Sequence, residues 1–283
     1  MRGPAGKTSS RGGRLGFTLI EMVVVIAITG IVASMVAVFI RRPVEGYVDA
    51  VRRAQISDVA DTALRRIMRD LRLALPNSVR VTGTCSGTST CYLEFILTSG
   101  GGRYRAALTS AGGGDPLDFT TTDSSFDVIG PPLTFAGGES IVVYNLGIGN
   151  SDAYAASNNR ATYGGAAGSV TNITLNPAKQ FPLESPGNRF QVVAYPVTYE
   201  CNPTAGVNQI KRYWNYGFNP AQVAPPSGGS QAQLASSVSS CFFTYNPNSV
   251  QGRNGVVSMS LQLTGQGGET EALFQETHVS NAP

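Results

Sequence analysis

Gly16-Phe17-Thr18-Leu19-Ile20-Glu21 opens an apolar run that continues to Ile40. Across the 24 residues from Phe17 to Ile40, Glu21 is the only ionisable side chain. At about 1.5 Å of rise per residue, a helix of that length covers a hydrocarbon core of roughly 30 Å. A carboxylate in such a segment costs about 2.5 to 3.5 kcal/mol at the bilayer centre and less near an end. It calls for a partner or a function, and a positive charge is the obvious partner.

Upstream lie Arg2, Lys7, Arg11 and Arg14 with no acidic residue among them. By the positive-inside rule this leader stays cytoplasmic and the rest of the chain is directed outward. An ordinary secretory signal has an apolar core of about 7 to 15 residues followed by a small-residue cleavage site. Here the apolar run is longer, and the polar break at Gly16 precedes it. A plain single-pass anchor whose Glu21 reaches toward the headgroups is the competing reading of the same residues.

The hexapeptide and its basic leader resemble the N-terminal motif of the type IV prepilin family, which includes the pseudopilins of type II secretion. That resemblance implies cleavage by a prepilin peptidase between Gly16 and Phe17 and methylation of the new amino group of Phe17. It also implies that Glu21 serves assembly, its charge met by the terminal amine of the next subunit. The implied partners are the peptidase, other major and minor pilins, an inner-membrane assembly platform, and membrane lipid before assembly. The implied location is a single pass of the inner membrane, N-terminus cytoplasmic and head periplasmic, and then a cell-surface pilus. Such a protein is a substrate of enzymes, not an enzyme, and needs no cofactor.

A narrower likeness covers Glu45-Gly46-Tyr47-Val48-Asp49, Arg52-Arg53-Ala54, Asp58, the run from Ala63 to Arg80, and the closing His278-Val279-Ser280-Asn281-Ala282-Pro283. These segments resemble the minor pilin of the mannose-sensitive haemagglutinin (MSHA) pilus system. The likeness implies a low-abundance subunit that initiates or supports a pilus from its tip or base. A minor pseudopilin of type II secretion is the near alternative. A membrane-anchored carbohydrate-binding or adhesin module is the alternative of another class.

The expected fold is α+β and pilin-like, a long N-terminal helix packed on a mainly antiparallel β head. The expected segments are a cleaved leader at 1–16, a membrane and assembly helix at 17–40, an amphipathic helix at 41–77 and a β-rich head at 78–283. Pro43 permits a kink or break behind Arg41 and Arg42, and Pro76-Asn77 is expected to end the helix. Val44, Val48, Val51, Ile56, Val59, Ala63, Ile67, Leu71 and Leu75 recur at helical steps and predict a buried stripe. The opposite face carries Arg52, Arg53, Asp58, Asp61, Arg65, Arg66, Arg69 and Arg72, with Asp61 and Arg65 at a supportive i, i+4 spacing.

Beyond residue 78, β-rich runs alternate with Gly, Ser, Asn and Pro clusters. Strands are predicted at 91–98, 103–108, 126–129, 140–146, 172–175, 190–198, 210–216, 241–245, 256–264 and 270–279. In the run from Val256 to Thr264, Val257, Met259, Leu261 and Leu263 alternate with more polar residues, which predicts one buried face. Segments 109–125, 147–169 and 219–236 read as exposed loops.

Residues 78–283 carry nine basic and twelve acidic groups, so the basic excess of the whole chain belongs to leader and helix, and nucleic-acid binding is not expected. Cys85, Cys91, Cys201 and Cys241 all follow the apolar run, where an oxidising compartment permits disulfides. Four cysteines allow three pairings; proximity favours Cys85 with Cys91, leaving Cys201 with Cys241. Metal binding lacks support because no C-x-x-C spacing or histidine pair accompanies them. The single histidine, His278, and the absence of a G-x-S-x-G elbow argue against a serine hydrolase. Gly147-Ile148-Gly149-Asn150 reads as a turn. Asp115, Asp118, Asp123 and Asp127 form a loose acidic cluster without EF-hand spacing, read as a solvated loop rather than a calcium site. Tyr213, Trp214, Tyr216 and Phe218 read as packing residues rather than a sugar platform.

Overall fold

The computed structural model describes residues 16–155, 158–247 and 254–283, so the basic residues of the leader lie outside the described residues. One helix, α1 (Leu19–Leu71), precedes fourteen strands. These are β1 (Arg80–Gly83), β2 (Cys91–Tyr104), β3 (Asp123–Ile129), β4 (Leu133–Phe135), β5 (Ser140–Val143), β6 (Arg160–Thr162) and β7 (Gly168–Val170). After them come β8 (Asn172–Lys179), β9 (Arg189–Asn202), β10 (Gln209–Trp214), β11 (Ser230–Ser236), β12 (Val238–Asn246), β13 (Asn254–Thr264) and β14 (Thr270–Ser280). The chain divides into two units, one ending at Val51 and one from Arg52 to Pro283.

In the first unit every described side chain from Gly16 to Ala50 is exposed, including the whole apolar run. Two hydroxyls of the apolar run are satisfied by the helix itself: Thr29 donates to the carbonyl of Val25 and Ser34 to that of Ile31. That is the arrangement a helix needs where no water is at hand. The break expected at Pro43 is absent, because α1 runs unbroken through it. Proline removes a single N–H donor, and the helix extends for many turns on both sides to hold the register.

The second unit is built on the later turns of α1. Ala60, Ala63, Leu64, Ile67 and Leu71 are buried against Leu93 and Phe95 of β2, Val197 and Tyr199 of β9, and the inner face of β12 to β14. The stripe differs from the expected one: Val44, Val48, Val51 and Val59 are exposed, so the buried stripe starts only near Ile56, while Ala60 and Leu64 face the core. The helix also stops at Leu71, before Pro76. Leu73 and Ala74 donate to carbonyls three residues back, and then Leu75 N–H turns to Ile96 O at 2.8 Å while Leu73 O accepts from Thr98 at 2.8 Å. Pairing with β2 outcompetes another helical turn.

All strand pairs are antiparallel. The large sheet runs β11-β10-β9-β2-β3-β8, with β1 also on β2 and β5 bridging β6 and β9; β12-β13-β14 and β4-β7 form smaller sheets. Strands β2 and β9 pass from the helix core to a second core around Tyr104, Phe126, Phe135 and Phe190. The two strands expected at 91–98 and 103–108 are one, ending at Tyr104. Gly100-Gly101-Gly102 is not a turn there; a Cβ on Gly102 would lie 3.0 Å from the Phe190 ring, so glycine admits the aromatic across the strands. Segments 147–169 and 219–236, expected as loops, contain β6, the start of β7 and β11.

Candidate processing and assembly site

Helix α1 begins with Thr18 as its cap. The Glu21 N–H donates to Thr18 Oγ1 at 3.3 Å and the Met22 N–H to the Thr18 carbonyl at 3.2 Å. Thr18 and Glu21 occupy the positions of a capping box, and a carboxylate in the first turn is also favoured by the helix dipole. This spacing is legible in Thr18-Leu19-Ile20-Glu21, and the sequence reading had taken Glu21 only as an assembly charge. The Glu21 side chain is exposed, with no ion-pair partner among the described residues. Phe17 is 81% exposed, and a Cβ built on Gly16 meets nothing within 4 Å. Packing among the described residues therefore does not require glycine at 16.

The same helix carries a second carboxylate in the opposite situation. Asp70 is buried, and its Oδ2 accepts from Tyr199 Oη at 2.7 Å and Arg212 Nε at 2.9 Å while Oδ1 faces Arg66 Nε at 3.3 Å. Burial disfavours the Arg212 cation, yet Tyr199 and Asp70 outweigh it and hold the guanidinium above its ordinary value. Burial first, and Asp70 second, push the Tyr199 phenol well up. The network fastens α1 to β9 and β10. Its signal was an aspartate between Ile67 and Leu71 on the apolar side, which the stripe analysis passed over.

Disulfides join Cys85 to Cys91, Cα atoms 4.8 Å apart, and Cys201 to Cys241, 6.0 Å apart. Cys91 stands opposite Cys201 in the β2-β9 register, and Gly87 bridges to Cys241. One patch of core thus ties the 85–91 loop, the large sheet and β12 together.

The remaining candidates hold the head together. Asp127 accepts from the Asp115 N–H, from Arg105 and from Asn172, and Asp123 accepts from the Asp118 N–H. These carboxylates brace loop turns, and among the described residues no three acidic, histidine or cysteine groups form a metal cage. Tyr213 donates to Glu200 at 2.5 Å, Trp214 lies 4.9 Å from the Arg212 guanidinium, Tyr216 donates to Glu94 at 2.7 Å, and Phe218 packs under Arg160 at 3.8 Å. Each aromatic has its own partner, so the four do not form one platform. His278 is exposed on β14, and Gly147 to Asn150 form a turn closed by Ser151.

Residues 11–37 match the family model described as the prokaryotic N-terminal methylation motif. The match supports the type IV prepilin-like family, pilins and pseudopilins together, whose members are structural subunits. With the apolar helix it suggests single-pass membrane anchoring, and it implies processing by a prepilin peptidase and assembly with other pilins. No curated protein and no solved structure matches the chain.

Proposed function

We propose that this chain is a minor type IV pilin of an MSHA-type pilus, cut after Gly16, methylated on Phe17 and inserted at the tip or base to initiate or support assembly. The observation that carries the reading is Glu21, a carboxylate with no ion-pair partner among the described residues, in the first turn of an exposed apolar helix, four residues after Phe17. Cleavage would create a terminal amine at Phe17, and in a bundle of such helices the amine of one subunit neutralises Glu21 of another. The pairing is favourable only at the right axial register, because a mis-set neighbour leaves a charge in hydrocarbon. Gly16 supports the same reading, since no described residue packs against it and a peptidase cleft would need it.

A minor pseudopilin of type II secretion shares the motif and the helix, and the filament system that incorporates the protein separates the two. Substituting Gly16→Val tests the cleavage assignment. The expected outcome is a slower-migrating precursor in the membrane and none of the protein in sheared pili. Complete processing of the variant would contradict it.

A further inference from the structure

Asp61, Arg65, Arg66 and Arg69 on the last turns of α1 and Arg72 just beyond its end line, with Met68 and Gln275, a groove of about 560 Å³ between the helix and β14. Asp61 neutralises Arg65 at 2.5 Å and Asp70 neutralises Arg66 at 3.3 Å. Arg69 and Arg72 are exposed, and no carboxylate among the described residues lies within ion-pair distance of either. Cations in a last turn complement the helix dipole. That accounts for Arg69, but not for a wall of guanidiniums turned toward a strand.

The other wall is an open sheet edge. Among the described residues β14 pairs only with β13, through eleven residue pairs without a register shift. In an antiparallel edge strand, alternate residues turn N–H and C=O away from the sheet. Proteins usually blunt such an edge with a bulge, a proline or a lysine. The sequence of β14, Thr270-Glu271-Ala272-Leu273-Phe274-Gln275-Glu276-Thr277-His278-Val279-Ser280, has neither proline nor lysine, its ladder has no bulge, and its only charged side chains are Glu271 and Glu276. Gln275 points into the groove, so every second side chain of a strand added beside β14 would face the arginines.

We propose that the groove between α1 and β14 receives an extended, carboxylate-bearing segment of a neighbouring subunit, its backbone extending the sheet at β14 and its acidic side chains meeting Arg69 and Arg72. Charge selects the occupant. A lysine-bearing strand would meet the uncompensated Arg69 and Arg72, and an apolar one would cover them without pairing them, whereas carboxylates bind guanidinium with directed, charge-assisted bonds. That a neighbouring subunit supplies the strand rests on the pilin reading; the groove's chemistry does not.

The test uses the full chain in detergent micelles and a fluorescent 11-residue peptide, the length of β14, that alternates Glu with Val. A peptide alternating Lys with Val is the control, and amide hydrogen exchange is followed along β14. The Glu peptide is expected to bind in a salt-sensitive manner, to slow exchange at alternate β14 amides, and to bind about tenfold more weakly to the R69E/R72E variant. Equal binding of the Lys peptide, unchanged β14 exchange, or undiminished affinity for the variant would each overturn the proposal. So would self-association that the variant abolishes, since a second copy would then hold the groove. None of these readouts depends on cleavage or piliation, so a failure here is distinguishable from a failure of the pilin reading.

Discussion

Glu21 and Asp70 are two carboxylates on one helix, and their surroundings are opposite. Asp70 is buried and has three partners, Tyr199, Arg212 and Arg66, supplied by the head and by its own helix. Glu21 is exposed on an apolar surface, and among the described residues only its backbone N–H is engaged, by Thr18. A carboxylate whose bonds are complete within the chain stabilises the fold of that chain. One left incomplete in an apolar setting is explained by a partner outside it.

This contrast is broken most sharply by Glu21→Val. Piliation and copurification with sheared pili should be lost, while the denaturant midpoint of the head stays as in the wild type; normal piliation would remove the charge-pairing role. Asp70→Ala should act in reverse. It leaves the buried Arg212 uncompensated, and such losses cost about 3 to 5 kcal/mol. Trp214, the single tryptophan and 4.9 Å from the Arg212 guanidinium, reports that unfolding by fluorescence. A loss well under 1 kcal/mol would show that the network is not what fastens the helix.

Legibility followed the same division. The motif, the apolar run and strongly alternating strands such as β13 can be read from residue type, because each buries a regular set of apolar side chains or none. Strands β1, β4, β6, β7 and β11 were missed because each buries at most one residue: none in β1 or β7, Phe135 in β4, Ala161 in β6, Ala235 in β11. Their backbone hydrogen bonds hold them, and those leave little mark on composition. Gly101 and Gly102 misled for a related reason, since the demand for glycine there comes from Phe190, far away in sequence. Asp70 was passed over because two of its three partners, Tyr199 and Arg212, come from β9 and β10, and no local pattern announces those two.

Two smaller effects sharpen the picture of the head. Replacing Cys201 and Cys241 together by serine reopens a loop of 40 residues, for which about 2 to 4 kcal/mol of stability should disappear. The loss should appear as a lower urea midpoint without a change in Glu21-dependent assembly. The smallest effect is at Asp118, where hydrogen bonds from the Thr120 hydroxyl first, then the Thr120 N–H and the Thr121 hydroxyl, lower the carboxyl to about 2. Its folded pKa lies below the ordinary 3.8, so its contribution is present above that pH and is lost as pH falls toward 2. Amide exchange at residues 118–121 should quicken across that window while the helix core stays protected. Unchanged exchange there would mean that Asp118 does not hold the turn.

The account stands on the N-terminus of the mature protein. Mass spectrometry of the chain from membranes and from sheared pili should find it beginning at a methylated Phe17. A chain that still carries residues 1–16, in cells whose pili lack it, would contradict the account.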